Sequence, residues 1–375
     1  MGSPKPLVVL GSGPVGLLSA LRGRQLGMDV TVYTSGLPSP NDPPRVECVP
    51  AQVVALLVEL GISPKRIGVK ELFHERTIQW SGSAPVTMRT PEVAHVERPA
   101  LDIALLEAAS GAGTKINALQ GNLLEELQRR HQKNDCLLLD ATGRSAVTAI
   151  QRIGPKRPLV ARLFHLRMRP RLLGSGLMIA AGSEGYAYRL ANPTALTVGV
   201  VGRKDFVQGD GPQIITKIAD FAPWLVQGIP SKDMESGASG AASVQWSRGD
   251  DSESVLVGDA FFARDALASQ GLAIGLSNAL RACTQLNHGF RPPPPSDEKK
   301  QISVHCQRIV QQIESSAFRS ARPWIEYSEF LSDLVDLMSP PETSSGSTMA
   351  ESASVSGRSG AVRAKLRQAP KTYPR

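Results

Sequence analysis

The sequence predicts an α/β fold in which a parallel-sheet unit carries an antiparallel sheet and a C-terminal helix. Three observations predict it. Leu7 to Gly16, L-V-V-L-G-S-G-P-V-G, is an apolar run that breaks into glycines and restarts as a helix. Asp29 to Tyr33 (D-V-T-V-Y) repeats the strand signal one helix later. Val160 to Met168 alternates in hydropathy, and Tyr186 to Leu190 and Ala195 to Val201 read as its antiparallel partners.

Four apolar residues bounded by glycine read as a buried strand, and Val15, Leu17, Leu18, Ala20 and Leu21 open a helix that Gly27 can close. In this Rossmann-like arrangement Gly11 makes the tight turn and Gly13 lets the backbone approach a pyrophosphate. Gly16 lets the helix sit close to the strand, and Ser12 and Pro14 complete the loop. The helix N-terminus then faces the phosphate charge. Where a dinucleotide site ordinarily carries an acid for a ribose, after the second strand, this chain has Thr34 and Ser35.

A proline-rich loop, Ser35 to Pro44, leads to Arg45-Val46-Glu47-Cys48-Val49-Pro50 and a helix from Ala51 to Leu60 that Gly61 stops. Val69 to Val86 reads as short strands and turns, and Ala100 to Ala109 as a helix with Leu101, Leu105 and Ala108 on one face. A further helix covers Leu123 to His131, and the strand Cys136 to Leu139 ends in Asp140-Ala141-Thr142-Gly143-Arg144-Ser145. Ile214, Ile218 and Phe221 mark a short helix that Pro223 and Trp224 end, and Ser231 to Ala242 reads as a Ser/Gly-rich loop. Brief strands at Val244 to Trp246 and Val255 to Val257 precede a helix from Gln270 to Leu286. A last helix carries Ile302, Cys306, Ile309 and Ile313 as one stripe.

The 375-residue chain is long enough for two or three domains and has a net charge of +8. Half of that excess lies after Ser339, where six basic residues face two acidic ones in a Ser/Gly/Pro-rich stretch that reads as disordered. No basic helix with interleaved aromatics remains, which argues against nucleic-acid binding. No apolar run reaches membrane-spanning length and the N-terminus lacks a signal-peptide pattern, so a cytoplasmic protein without a membrane partner is expected. Cys48, Cys136, Cys283 and Cys306 lack the spacing of a zinc site or disulfide framework.

Four motifs together carry a resemblance: G-S-G-P-V-G at Gly11, R-x-x-L-D-x-x-L at Arg98, D-A-T-G-R-S at Asp140, and V-G-D-A at Val257 followed by S-Q-G-L. Over most of residues 5 to 335 the chain resembles the FAD-dependent aromatic hydroxylase superfamily. Within it, Glu47 to Pro50 and Leu60-Gly61-Ile62 are similar to segments of flavin-dependent tryptophan halogenases. Arg45 to Ile62, Ala241 to Trp246 and Ala263 to Ala273 look like a halogenase-related set of flavoproteins. Those mature the tryptophan-derived quinone cofactors of lysine ε-oxidase, glycine oxidase and quinohemoprotein amine dehydrogenase.

The resemblance implies FAD as cofactor, with residues 1–68, 92–159 and 244–290 forming the FAD-binding domain and 69–91 and 160–243 a substrate-sheet domain. Residues 297–335 would be a C-terminal helical segment and 339–375 a disordered tail. It places Gly11, Ser12, Gly13, Pro14, Gly16, Arg98, Asp140, Gly143, Gly258, Asp259, Gln270, Gly271 and Leu272 at the cofactor. Arg98 would reach its phosphate or ribityl region and Asp259 its ribityl hydroxyls, while the helix beginning near Gln270 aims N–H groups at the flavin pyrimidine edge. Glu47 and Gln270 are the candidate catalytic residues. Glu47 either orients substrate or moves a proton, or forms a salt bridge with Arg45, and Asp140 is either a ligand or a turn cap.

The activity implied is hydroxylation of an electron-rich aromatic, a protein- or peptide-bound tryptophan, by O2 through a flavin C4a-hydroperoxide. No second glycine fingerprint appears, so electrons come from a transient NAD(P)H or a partner flavin reductase. The alternatives are a halogenase and a non-catalytic FAD-binding maturation factor. Ala266 and Ser269 replace the hydroxylases' proline and glycine, the halogenases' W-x-W-x-x-I-P is absent, and Lys70 does not fit their tunnel lysine. His165 and His305 read as structural, and Trp224 and Trp246 as either cavity or core aromatics.

Overall fold

A computed structural model describes residues 5–69, 71–80, 82, 84–167, 176–192, 194–249, 254–265, 271–289 and 296–338. Gln270, Ala266, Ser269, Lys70, Met168, the prolines at 292–295 and the tail from 339 lie outside the described residues. Two sheets carry the molecule. The first is parallel: β1 (Leu7–Leu10), β2 (Val30–Thr34), β6 (Lys115–Ala118), β7 (Leu137–Asp140) and β15 (Val255–Leu256) lie in the order β15-β7-β1-β2-β6. All four residues of β1 are buried, as a central strand covered on both faces requires.

Helices α1 (Pro14–Gln25), α3 (Arg98–Gly111) and α8 (Gly271–Asn287) cover one face, joining Leu17, Leu18, Leu101, Leu105, Leu276 and Cys283 in one core. On the opposite face α4 (Leu123–Gln132) packs Leu127 against Val8, Leu10 and Leu138. Pro14 sits in the first turn of α1, where its missing N–H costs nothing.

The second sheet has eight strands in the order β13-β9-β12-β11-β10-β4-β5-β3. These are β3 (Val46–Pro50), β4 (Leu72–Gln79), β5 (Val86–Glu97), β9 (Val160–Arg167), β10 (Gly176–Gly182), β11 (Gly185–Ala191), β12 (Ala195–Gly202) and β13 (Glu235–Ala241). All pairs are antiparallel except β10 with β4. Every residue of β12 is buried because both faces of the sheet are covered. The outer face packs Phe164, Val198 and Val200 on α5 (Gly211–Ala219) and α6 (Pro223–Val226). The inner face packs Ile179, Tyr186 and Val201 toward α9 (Ser296–Glu314) and α10 (Arg322–Met338). The helix α2 (Ala51–Glu59) follows β3, and β8 (Gln151–Ile153) pairs with β14 (Gln245–Arg248); α7 (Asp259–Phe262) follows β15.

The α/β class, the glycine-loop unit and the antiparallel sheet are as the sequence predicts, and four local expectations are corrected. The residues 235–241, expected as loop, form edge strand β13, because β9 supplies a ladder that overrides glycine and serine propensity. Gly237 lacks the Cβ that would strike the His165 ring. Pro223 begins α6 rather than ending a helix, and α5 stops at Ala219. The single C-terminal helix is a pair, α9 and α10, with Trp324, Tyr327, Leu331 and Leu334 as the second stripe.

The expected division between residues 91 and 92 falls inside β5, and β3 pairs with that strand from Val46 opposite Glu97 to Pro50 opposite Val93. Segments 46–50 and 92–97 therefore sit in the large sheet. Pro91 lies where the β4–β5 register shifts, between the pairs Phe73–Val93 and Glu75–Arg89, so a proline bulge resembles a boundary.

Candidate functional site

The loop between β1 and α1 is shaped by two glycines that admit no side chain and one that could. Gly11 has φ +99°, and a Cβ there would lie 2.7 Å from the Ala141 carbonyl oxygen. A Cβ on Gly16 would strike the Gly11 carbonyl, so Gly16 fixes how closely α1 approaches the loop and does not face a ligand. Gly13 has nothing within 4 Å of its Cβ position and lines a cavity. Open space over Gly13, beside the unpaired N–H groups that begin α1, fits a diphosphate. Ser12 is buried, its hydroxyl 2.8 Å from Thr34 Oγ1 and donating to the Gly36 carbonyl at 2.6 Å. The threonine that replaces an acid thus ties the glycine loop to the end of β2.

The cavity has a volume of about 840 Å³ and runs from this loop to the inner face of the large sheet. Gly11, Ser12, Gly13, Pro14, Glu47, Arg98, Gly143, Asp259, Gly271 and Leu272 all line it, so ten of the sequence-predicted residues are brought together. Its far wall is Leu163, Leu177, Ile179, Tyr186, Tyr188 and Leu190.

Asp140 is a correction. It is fully buried, and its carboxylate accepts from the backbone N–H and hydroxyl of Thr142 (2.9 and 2.6 Å) and of Thr148 (2.8 and 2.9 Å). Four donors consume its acceptor capacity, so it shapes the loop after β7 and is no cofactor ligand. Gly258 also stands behind the wall, its Cβ position 3.1 Å from Val15 Cγ2 at φ +59°.

Arg98 opens α3 and Asp102 follows one turn later. The guanidinium meets both Asp102 oxygens at 3.1 Å through Nε and Nη2, and its Nη1 meets Glu47 Oε1 at 2.7 Å. Arg45 Nη2 meets the same Glu47 oxygen at 2.9 Å. The β3–β5 pairing, which sets Glu47 opposite Val96, makes this possible. Burial opposes ionisation of Glu47, yet the two arginines hold its carboxyl below the usual carboxylate range. Asp102 is raised by burial despite Arg98, and the ion pairs raise Arg98 despite its burial. Glu47 is therefore an anion fixed by two cations, the salt bridge with Arg45 being one of them, and Arg98 presents its paired guanidinium to the cavity.

Asp259 lines the cavity at the turn after β15; burial raises its carboxyl and Arg144 opposes that shift. A Cβ on Gly271 would be 3.8 Å from Asp259 Oδ1, so Asp259 faces the start of α8. Sequence reasoning missed a second buried carboxylate. Asp265, 2% exposed, accepts from Tyr186 at 3.0 Å and from Tyr327 at 2.6 Å, joining the cavity wall to α10. Trp324 stacks on Tyr186 with ring centroids 6.3 Å apart. The spacing of Tyr186 and Tyr188 two apart on a strand was the available signal.

Trp224 and Trp246 do not join the wall. Trp224 packs under the outer face and donates to Gln79, and Trp246 lies in β14 against α7. His165 is buried beside Thr197, and burial together with Arg45 pushes it down to about 4; His305 stands edge-on to Phe262.

No family model matches the sequence, and comparison with curated proteins finds no match. Solved structures do match. The peptidyl tryptophan dihydroxylase QhpG, described as essential for tryptophylquinone cofactor biogenesis, aligns at 20% identity over 87% of this chain and 79% of its own, with a TM-score of 0.62. The myxobacterial chondrochloren halogenase CndH, a variant of FAD-dependent halogenases, aligns at 17% identity over 87% and 86%, with a TM-score of 0.65. A point mutant of the halogenase PltM in complex with FAD aligns at 14% identity over 89% and 83%, at 0.61. The fold is the one these proteins share. It is the fold that the four sequence motifs imply. Among the described residues no helix is long and apolar enough to cross a membrane.

Proposed function

We propose that this chain is an FAD-dependent monooxygenase that hydroxylates an electron-rich aromatic, a tryptophan held in a protein or peptide. The observation that carries the reading is the continuity of the cavity: one space is lined by the open glycine of a dinucleotide loop at one end and by apolar and aromatic side chains at the other. The likeness to a peptidyl tryptophan dihydroxylase supports the substrate class.

The donor set fits FAD. Gly13 and the first N–H groups of α1 would hold the diphosphate, with Thr34 and Ser35 at the adenosine ribose in place of an acid. Asp259 would accept from ribityl hydroxyls, and the N-terminus of α8 at Gly271 and Leu272 would face the pyrimidine edge, where its dipole favours an anionic reduced ring. Bound FAD, reduced by NAD(P)H or a reductase, supplies the two electrons with which O2 gives one oxygen to substrate and one to water.

The protein's own work is positioning. Leu163, Leu177, Ile179 and Leu190 exclude water from the reacting ring, and the Arg45–Glu47–Arg98–Asp102 chain fixes charge beside it without exchanging a proton. The cations lining the described wall are Arg45, Arg98 and Arg264, guanidiniums rather than the lysine a halogenase reading asks for.

The test mixes protein, FAD, a flavin reductase and a tryptophan-containing partner and measures the partner's mass. One or two added oxygens on tryptophan is the expected result. Added chlorine or bromine would replace the hydroxylase reading with a halogenase, and partner binding without O2 consumption would leave a non-catalytic maturation factor.

A further inference from the structure

Two tyrosines stand two residues apart on β11, facing the same cavity, and their hydroxyls differ in circumstance. Tyr186 spends its O–H on buried Asp265. The Tyr188 hydroxyl forms no hydrogen bond among the described residues, although the ring lines the cavity. Its orientation is built in. Tyr188 pairs with Gly199 on β12, and a Cβ at Gly199 would lie 2.6 Å from the phenol oxygen, so the ring lies flat across the neighbouring strand only because that strand has glycine there. Burial and the nearby Glu47 carboxylate push the phenol up to about 12, partly offset by Arg45, so it stays neutral and keeps its lone pairs available.

A neutral phenol that lines the cavity and has lone pairs free of any protein donor suits a polar donor on the ligand. We infer that Tyr188 is a substrate-positioning residue whose hydroxyl accepts the ring N–H of an indole, setting which ring atom faces the cofactor. The inference rests on the indole-hydroxylase reading of the cavity. It adds a specificity determinant on the sheet side, distinct from the residues that would hold the flavin.

The experiment compares binding of two peptides to the FAD-loaded protein: one containing tryptophan, and the same peptide with benzothienylalanine, whose ring has sulfur in place of N–H. A single hydrogen bond predicts that wild type prefers the tryptophan peptide about fivefold to tenfold. Tyr188→Phe should abolish that preference, and Gly199→Ala, which displaces the ring, should do the same. The flavin absorbance of each variant controls for folding. Preference retained in Tyr188→Phe, or absent from wild type that binds both peptides, overturns the inference and leaves the reading of the cavity standing. Wild-type holoprotein that binds neither peptide overturns both.

Discussion

Arg98 is gripped by Asp102 through two parallel hydrogen bonds of 3.1 Å, one helical turn apart at the start of α3. The geometry aims the remaining guanidinium nitrogen at Glu47, which also meets Arg45. Removing Asp102 leaves Arg98 held by Glu47 alone and lets its guanidinium tilt. Asp102→Ala should therefore weaken FAD binding by about tenfold, a charge-assisted pair's worth, in a flavin fluorescence titration. Unchanged affinity would mean that the clamp has no bearing on the cofactor.

The glycine loop separates packing from ligand approach. Gly13 has φ −70° and ψ 174°, which alanine adopts freely, with open space at its Cβ position. Gly13→Ala should keep the wild-type Tm yet lower FAD affinity by about tenfold or more, because the methyl group occupies the diphosphate's place. Gly11→Ala should instead destabilise the fold, since φ is +99° and the Ala141 oxygen is 2.7 Å away. Thermal melts with and without FAD distinguish the two.

Tyr327 anchors the C-terminal pair of helices to the cavity wall. Its hydroxyl donates to Asp265 and accepts from the Val244 N–H at 3.0 Å. Tyr327→Phe leaves both partners short in a buried site and should cost about 1–3 kcal/mol in urea unfolding. A loss under about 0.5 kcal/mol would contradict that role.

His95 is buried, stacked on Phe73 with centroids 4.2 Å apart, and its Nδ1 lies 2.6 Å from the Ala191 carbonyl, to which it donates. Burial pushes it down to about 4, and His165 likewise. Both folded values lie below the unfolded one of about 6.5, so the unfolded chain takes up protons first as pH falls. Stability should be complete above about 6.5 and decline toward 4. Urea midpoints at several pH values should show a shallower decline for His95→Gln than for wild type, and parallel curves would refute this origin.

The local part of this architecture was legible. An apolar run ending in glycines dictates strand, turn and helix whatever the rest of the chain does, and Asp259, at the end of an apolar strand, lines the cavity as its position in the sequence suggests. Asp140 carries the same signal with a different outcome, because Thr142 and Thr148 stand close enough in sequence to saturate it. Strand β13 was hidden because its stability comes from pairing with β9, about which glycine and serine say nothing locally. The second acid on Arg98, Glu47, is 51 residues away, and the partner of Tyr186 is 79 residues away. Such contacts are set by sheet register, which no single segment encodes.

The most direct test of the central claim is a titration of the purified protein with FAD, followed by gel filtration. The account predicts a yellow protein retaining one flavin per chain, with retention sharply reduced by Gly13→Ala. A folded, colourless protein that takes up no flavin would contradict it.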